Sequence, residues 1–136
     1  MTTVQHIDQV RAIFTPDNSV TLKTVTDTFF PDLDKDFPDF KDHILISQFF
    51  FDEAWPTWEI HPKGDELVML LSGDTDMILS NEDGSETIMR VSTPGEYVVI
   101  PRNTWHTARP FTPTTMLFIT PGEGTLNALE PNGDPV

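Results

Sequence analysis

From position 43 onward the chain alternates short apolar runs with turn residues. The runs cover 44–51, 58–60, 67–71, 77–79, 87–91, 97–100 and 116–119, and they are rich in β-branched and aromatic side chains. Pro56, Pro62-Lys63-Gly64-Asp65, Ser72-Gly73-Asp74, Glu82-Asp83-Gly84, Pro94-Gly95 and Pro101-Arg102-Asn103 separate them. Many short strands at close intervals predict an all-β sandwich or barrel. Asp83-Gly84 predicts a type I′ hairpin turn, whose two central residues both need positive φ. Ahead of the runs, Val4, Ile7, Val10 and Ile13 recur at helical spacing and predict a short N-terminal helix over 4–14. A first strand is expected within 19–26. The segment 27–42 holds six Asp and two Pro and reads as an acidic surface loop. It lacks the regular ligand spacing and closing Glu of an EF-hand. The tail 121–136, with its glycines and prolines, reads as loosely ordered. The whole of 1–136 forms one domain: helix, strand and loop to residue 42, barrel core over 43–120, then the tail.

Length fits that picture. A chain of 136 residues buries roughly two-thirds of the surface its unfolded form exposes, so it needs no covalent staple. There are no cysteines, which excludes thiolate metal sites, disulfides and a cysteine nucleophile. A formal charge of −14 repels phosphate, so nucleic acid and anionic membranes are poor partners. The opening Met1-Thr2-Thr3-Val4-Gln5-His6 has no basic segment followed by an apolar run. No signal peptide is expected, and the expected location is cytoplasmic.

Chemistry concentrates around two of the four histidines. Glu59 and His61 are two apart on a strand and therefore share a face. The turn 62–65 brings Glu66 onto the next strand, beside them. His106 opens a later strand after a proline-bearing turn. Two imidazoles and two carboxylates suit Fe(II), Mn(II), Ni(II), Zn(II) or Cu(II). Without a cation the two carboxylates repel one another, and Arg90, Arg102 or Arg109 would have to neutralise them. His6 and His43 lie outside the cluster.

The segment from Glu59 to Glu66, followed by six residues and Gly73, resembles the first motif of the cupin superfamily. That motif is Gly, five residues, His-x-His, three or four residues, Glu, six residues, Gly. Gly95, five residues, Pro101-Arg102-Asn103, two residues and His106 resemble the second, which ends, after three more residues, in Asn. Together with the link between them the motifs span about a third of the chain. Four positions depart: Glu59 stands for the first histidine, Glu53 for the opening Gly, Asn103 for the second-motif Gly and Pro110 for the closing Asn. The resemblance implies a double-stranded β-helix, or jelly-roll, barrel. It implies metal-ligand roles for His61, Glu66 and His106 by identity and for Glu59 by position. Glu59 is either a fourth ligand or a catalytic base. A metal-dependent enzyme on a small organic molecule, of dioxygenase or isomerase type, is the function implied. A non-catalytic small-molecule-binding or sensor protein is the alternative.

Strand alternation then sorts the neighbours. If Glu59 and His61 point inward, Trp58 and Ile60 point away, and Trp105 opposes His106 in the same way. Both tryptophans belong to core packing or to a subunit interface. Thr57, Val68, Leu70, Thr104 and Ala108, with Arg102, are expected to line the substrate pocket. Leu67, Met69 and Leu71 make their strand apolar on both faces, so a second sheet or a partner copy must cover it, and a homodimer is expected.

Overall fold

A computed structural model describes residues 3–136 of the chain. Met1 and Thr2, which open the stretch expected to lack a signal peptide, lie outside the described residues. The period-two patterning resolves into eleven strands: β1 (Val10–Phe14), β2 (Val20–Thr24), β3 (Ile44–Phe51), β4 (Trp58–Ile60), β5 (Glu66–Ser72), β6 (Thr75–Ser80), β7 (Glu86–Val91), β8 (Tyr97–Ile100), β9 (His106–Pro110), β10 (Thr114–Thr120) and β11 (Leu126–Ala128). They pair antiparallel in two sheets, ordered β2-β1-β3-β10-β5-β8 and β11-β4-β9-β6-β7. The main core joins Val68, Leu70, Met116, Phe118 and Ile100 of the first sheet to Met77, Val91 and Ala108 of the second. A core drawn from both inner faces is what makes two sheets one barrel.

The N-terminal helix is expected in the wrong place. Val10 and Ile13 lie in strand β1, which pairs with both β2 and β3. β-branched side chains fit that paired surface, and the spacing of three was coincidental with it. The one α-helix among the described residues, α1, spans Phe29–Asp36, inside the segment read as a loop. Pro31 falls in its first turn, where a missing N–H costs nothing. Phe29 and Leu33 form its buried stripe, and with Ile13, Leu45 and Phe40 they make a second core cluster. Arg11 packs on it: it is 7% exposed, and its guanidinium lies 4.6 Å from the Phe29 ring centroid and 4.9 Å from that of Phe49.

Two turns refine the expectations. Asn103 takes a φ of 58°, the left-handed conformation that the motif's Gly would adopt. Gly84 takes a φ of 84° while Asp83 stays out of that region, so the turn is not type I′. Gly84 N–H donates to Asn81 O, and Asn81 N–H donates to Ser85 O, giving a three-residue loop closed by a left-handed Gly. Gly73 is the most constrained of these positions. Its φ is 93°, and an added Cβ would overlap the Pro113 carbonyl oxygen and Thr114 Cα. Gly73→Ala is expected to destabilise the protein by about 2 kcal/mol or more, combining backbone strain with the clash. A urea midpoint unchanged from wild type would contradict this.

The tail is built rather than loose. β11 pairs with β4, Val136 N–H donates to Asn127 O, and Ala128 is fully buried. Ile60, Trp105 and Trp58 pack against Ala128, and Trp105 Nε1–H donates to Asn132 Oδ1 at 3.1 Å. Both tryptophans do face away from the cluster, and the chain's own C-terminus covers them.

Candidate metal centre

Strand β4, its sheet neighbour β9, and β5 of the other sheet bring the four predicted residues together. Glu59 on β4 sits opposite His106 on β9 in the pairing register. Glu66 opens β5, and the turn between β4 and β5 carries His61 to it. One ligand atom from each of Glu59, His61, Glu66 and His106 lies within 4.8 Å of all the others. His61 Nε2 is 2.7 Å from Glu59 Oε1 and 3.2 Å from Glu66 Oε2, and His106 Nε2 is 3.2 Å from Glu66 Oε1. None of these approaches is aligned as a hydrogen bond. His61 Nε2, Glu66 Oε1 and His106 Nε2 are buried polar atoms without a hydrogen-bond partner. Orphaned groups cost free energy in a protein interior unless an ion satisfies them.

The opposite side of each group is tethered. His106 Nδ1–H donates to Thr104 O at 3.1 Å, because a carbonyl can only accept. The Thr125 hydroxyl donates to Gly122 O at 2.9 Å, so at 2.8 Å it must accept from His61 Nδ1–H. Thr120 Oγ1–H donates to Glu66 Oε2 at 2.6 Å. Both imidazoles therefore carry Nδ1–H and turn Nε2 into the cluster. Outer hydrogen bonds that fix tautomer and ring orientation are what metal-ligating histidines require. The four donors fit a divalent ion with nitrogen and oxygen ligands.

Electrostatics sharpen this. Burial alone would lower the His61 pKa, but the close carboxylates of Glu59 and Glu66 override it and raise it from 6.5 to about 9. Burial would raise Glu66, but the adjacent His106 and His61 override it and lower it from 4.5 to about 2. Without metal, His61 is thus a cation at neutral pH. Its contribution to metal-free stability is full below pH 6.5 and lost as pH rises through about 9. That of Glu66 is full above pH 4.5 and lost as pH falls toward 2. A metal ion must displace the Nε2 proton, so affinity is expected to rise about tenfold per pH unit between pH 6 and 8.5. Competition with a chromophoric chelator across that range checks this, and a pH-independent affinity would contradict it.

A cavity of about 750 Å³ opens beside the cluster. Thr57, Glu59, His61 and Glu66 line it. Val68, Leu70 and Ala108 point inward as expected, but they are 0% exposed, sealed in the core, and do not reach the cavity. Arg102 is on the surface beside Asp65, and Thr104 contributes its carbonyl to His106 rather than a pocket wall. Arg90 pairs with Asp76 and Arg109 with Glu86, so none of the three arginines neutralises the cluster. Trp55 was missed. It lines the cavity with its ring 6.4 Å from that of His106. Its parity with Thr57, Glu59 and His61 was the available signal. Thr125, in the tail, gave none.

No protein-family model matches the chain, and no curated protein matches it. Solved structures do. An oxalate oxidase is similar at 20% identity with a TM-score of 0.52, covering 60% of this chain and 44% of that one. The E162A mutant of Bacillus subtilis oxalate decarboxylase is similar at 18% identity with a TM-score of 0.53, covering 62% of this chain and 23% of that one. A cupin-2 domain protein of Shewanella frigidimarina is similar at 17% identity and a TM-score of 0.49, covering 57% of this chain and 70% of that one. The chain spans less than half the length of the oxidase and less than a quarter of the decarboxylase. The two motifs, the paired sheets and the likeness to the oxidase and the decarboxylase agree on the architecture: the chain has the cupin fold.

Proposed function

We propose that this chain is a metal-dependent enzyme acting on a small organic molecule, with His61, Glu66 and His106 as the ligands of a divalent ion. The observation that carries it is the convergence of three buried ligand atoms that lack an aligned hydrogen-bond partner and whose far sides are already tethered. Among the similar structures the B. subtilis decarboxylase holds Mn(II) centres, which makes Mn(II) the first ion to try, with Fe(II), Ni(II) and Zn(II) after it. When bound, such an ion supplies a Lewis acid and open coordination positions. We assign Glu59 a different task. Its side chain is 28% exposed against 1% for Glu66, and it faces the cavity. As general base it would take a proton from a group held there. Oxygenation and isomerisation both remain within this scheme. Elemental analysis after reconstitution, followed by an oxygen-electrode and isomerisation screen, tests it. A chain that takes up none of the four metals would leave only the non-catalytic binding protein.

We also propose that two copies pair through the outer face of the six-stranded sheet. Leu22, Ala12, Ile46, Ile119, Leu67 and Val99 lie in one register row across all six strands. Gln48, Leu117, Met69 and Tyr97 form the next row over four of them. Neither row holds a charge, although the chain carries −14. Copies of so acidic a chain repel elsewhere and can approach on this face. Sedimentation equilibrium is expected to give a dimer for wild type and a monomer for Met69→Lys. A monomeric wild type at tens of micromolar would end this proposal. The cytoplasmic placement is likewise a proposal, tested by fractionation.

A further inference from the structure

We infer that the cavity takes a neutral aromatic molecule offering one hydroxyl or carbonyl oxygen to the cluster, and that it rejects dicarboxylates. The inference rests on the metal-site reading and adds the substrate class.

The first ground is the wall. Phe30, Phe40, Phe49, Phe51, Trp55 and Phe118 line the cavity. All but Phe40 form a connected aromatic surface: Phe51 meets Trp55 edge to face at 5.6 Å, Trp55 meets Phe118 at 5.9 Å, Phe118 meets Phe49 at 5.6 Å, and Phe49 stacks on Phe30 at 6.4 Å. Trp55 also reaches the His106 ring, so the surface runs up to the cluster. Such a wall rewards a flat apolar ring with dispersion and offset or edge-to-face contacts. A cavity of about 750 Å³ lies in the usual range for whole organic ligands of drug-like size, and a two-carbon diacid would leave most of it unfilled.

The second ground is charge. The acidic lining residues are Asp34, Glu59 and Glu66, and among the described lining residues there is no Lys or Arg. Arg11 is close in the fold but spent on Phe29, Phe30 and Phe49, and it does not line the cavity. Recognition of a carboxylate ordinarily uses a guanidinium fork or an ammonium. With a divalent ion bound, Glu59 and Glu66 already balance its charge. A dianion would then enter a largely aromatic space with no remaining cation. An organic cation is disfavoured as well. The adjacent histidines, and an ion when bound, already balance Glu59 and Glu66, which leaves Asp34, at an exposed position, as the unpaired acid of the lining. Ser47, Thr57 and Asn127 supply the few polar groups that would orient a neutral ligand.

Isothermal titration of metal-free and Mn(II)-loaded protein with 2-naphthol, oxalate and benzyltrimethylammonium tests this, with metal content measured separately. On the metal-free protein 2-naphthol is expected to bind at least about tenfold tighter than either ion. Phe51→Ala is expected to weaken 2-naphthol about tenfold through the lost ring contact and to leave metal content unchanged. Asp34→Lys, at an exposed position, is expected to keep 2-naphthol affinity and to strengthen oxalate a few-fold by adding the missing cation. Oxalate or benzyltrimethylammonium binding as tightly as 2-naphthol would overturn the inference, whether or not Phe51→Ala folds. Failure to load metal would defeat the proposed function alone, because the ranking of probes on metal-free protein still decides the cavity's class.

Discussion

His106→Ala protein is expected to leave reconstitution with less than about a tenth of an ion per chain, where wild type holds about one. His106 is 0% exposed and contributes a nitrogen that nothing else in the fold satisfies. Changes one layer further out typically cost 10–100-fold in metal affinity, so removal of a ligand should cost at least about a hundredfold. Thr125→Val serves as the graded companion. It removes the acceptor that fixes the His61 ring and should cost about 10–100-fold while leaving all four ligands in place. Glu59→Gln separates the remaining roles. Retained metal with lost turnover makes Glu59 the base, and lost metal makes it a fourth ligand. Elemental analysis and chelator competition read all three variants, and a His106→Ala protein that holds metal like wild type would contradict the assignment.

Cutting the chain after Thr120 is expected to lower the Tm by more than about 10 °C and to abolish metal binding. The tail's β11 covers Ile60, Trp58 and Trp105. Exposing large apolar side chains costs roughly 1.5–3 kcal/mol each, and each kcal/mol moves Tm by several degrees in a domain of this size. The same cut removes Thr125 and Gly122, the relay that holds His61. Differential scanning calorimetry and metal analysis check both effects. A truncated chain with wild-type Tm would mean that the tail is as loose as its glycines and prolines suggest.

That contrast shows what the sequence makes legible. The barrel strands could be read because period two and turn residues act locally, residue by residue. His61, Glu66 and His106 could be read because their spacing follows from strand, turn and strand. Glu59 followed from parity alone. What escaped depends on distant partners. Val10 and Ile13 carry a helical spacing, yet pairing with β2 and β3 makes them strand. The six aspartates of 27–42 hid the stripe of Phe29, Leu33 and Phe40, because exposed acids outnumber the residues that anchor the segment. Val68, Leu70 and Ala108 face inward, but parity gives direction and not depth, and these positions lie in the sealed core. Trp55 shared the parity of Glu59 and lay in a stretch without strand pattern. Thr120 and Thr125 orient two of the ligands through hydrogen bonds across 54 and 64 residues, a relation that no local pattern encodes.

The central claim is a metal ion at one defined place in this fold. Anomalous diffraction from crystals of the Mn(II)-reconstituted protein tests it most directly. The expected map holds a single strong peak bounded by His61 Nε2, His106 Nε2 and a Glu66 carboxylate oxygen, open toward the cavity. A map with no peak there, or with Mn(II) bound elsewhere on the acidic surface, would contradict it.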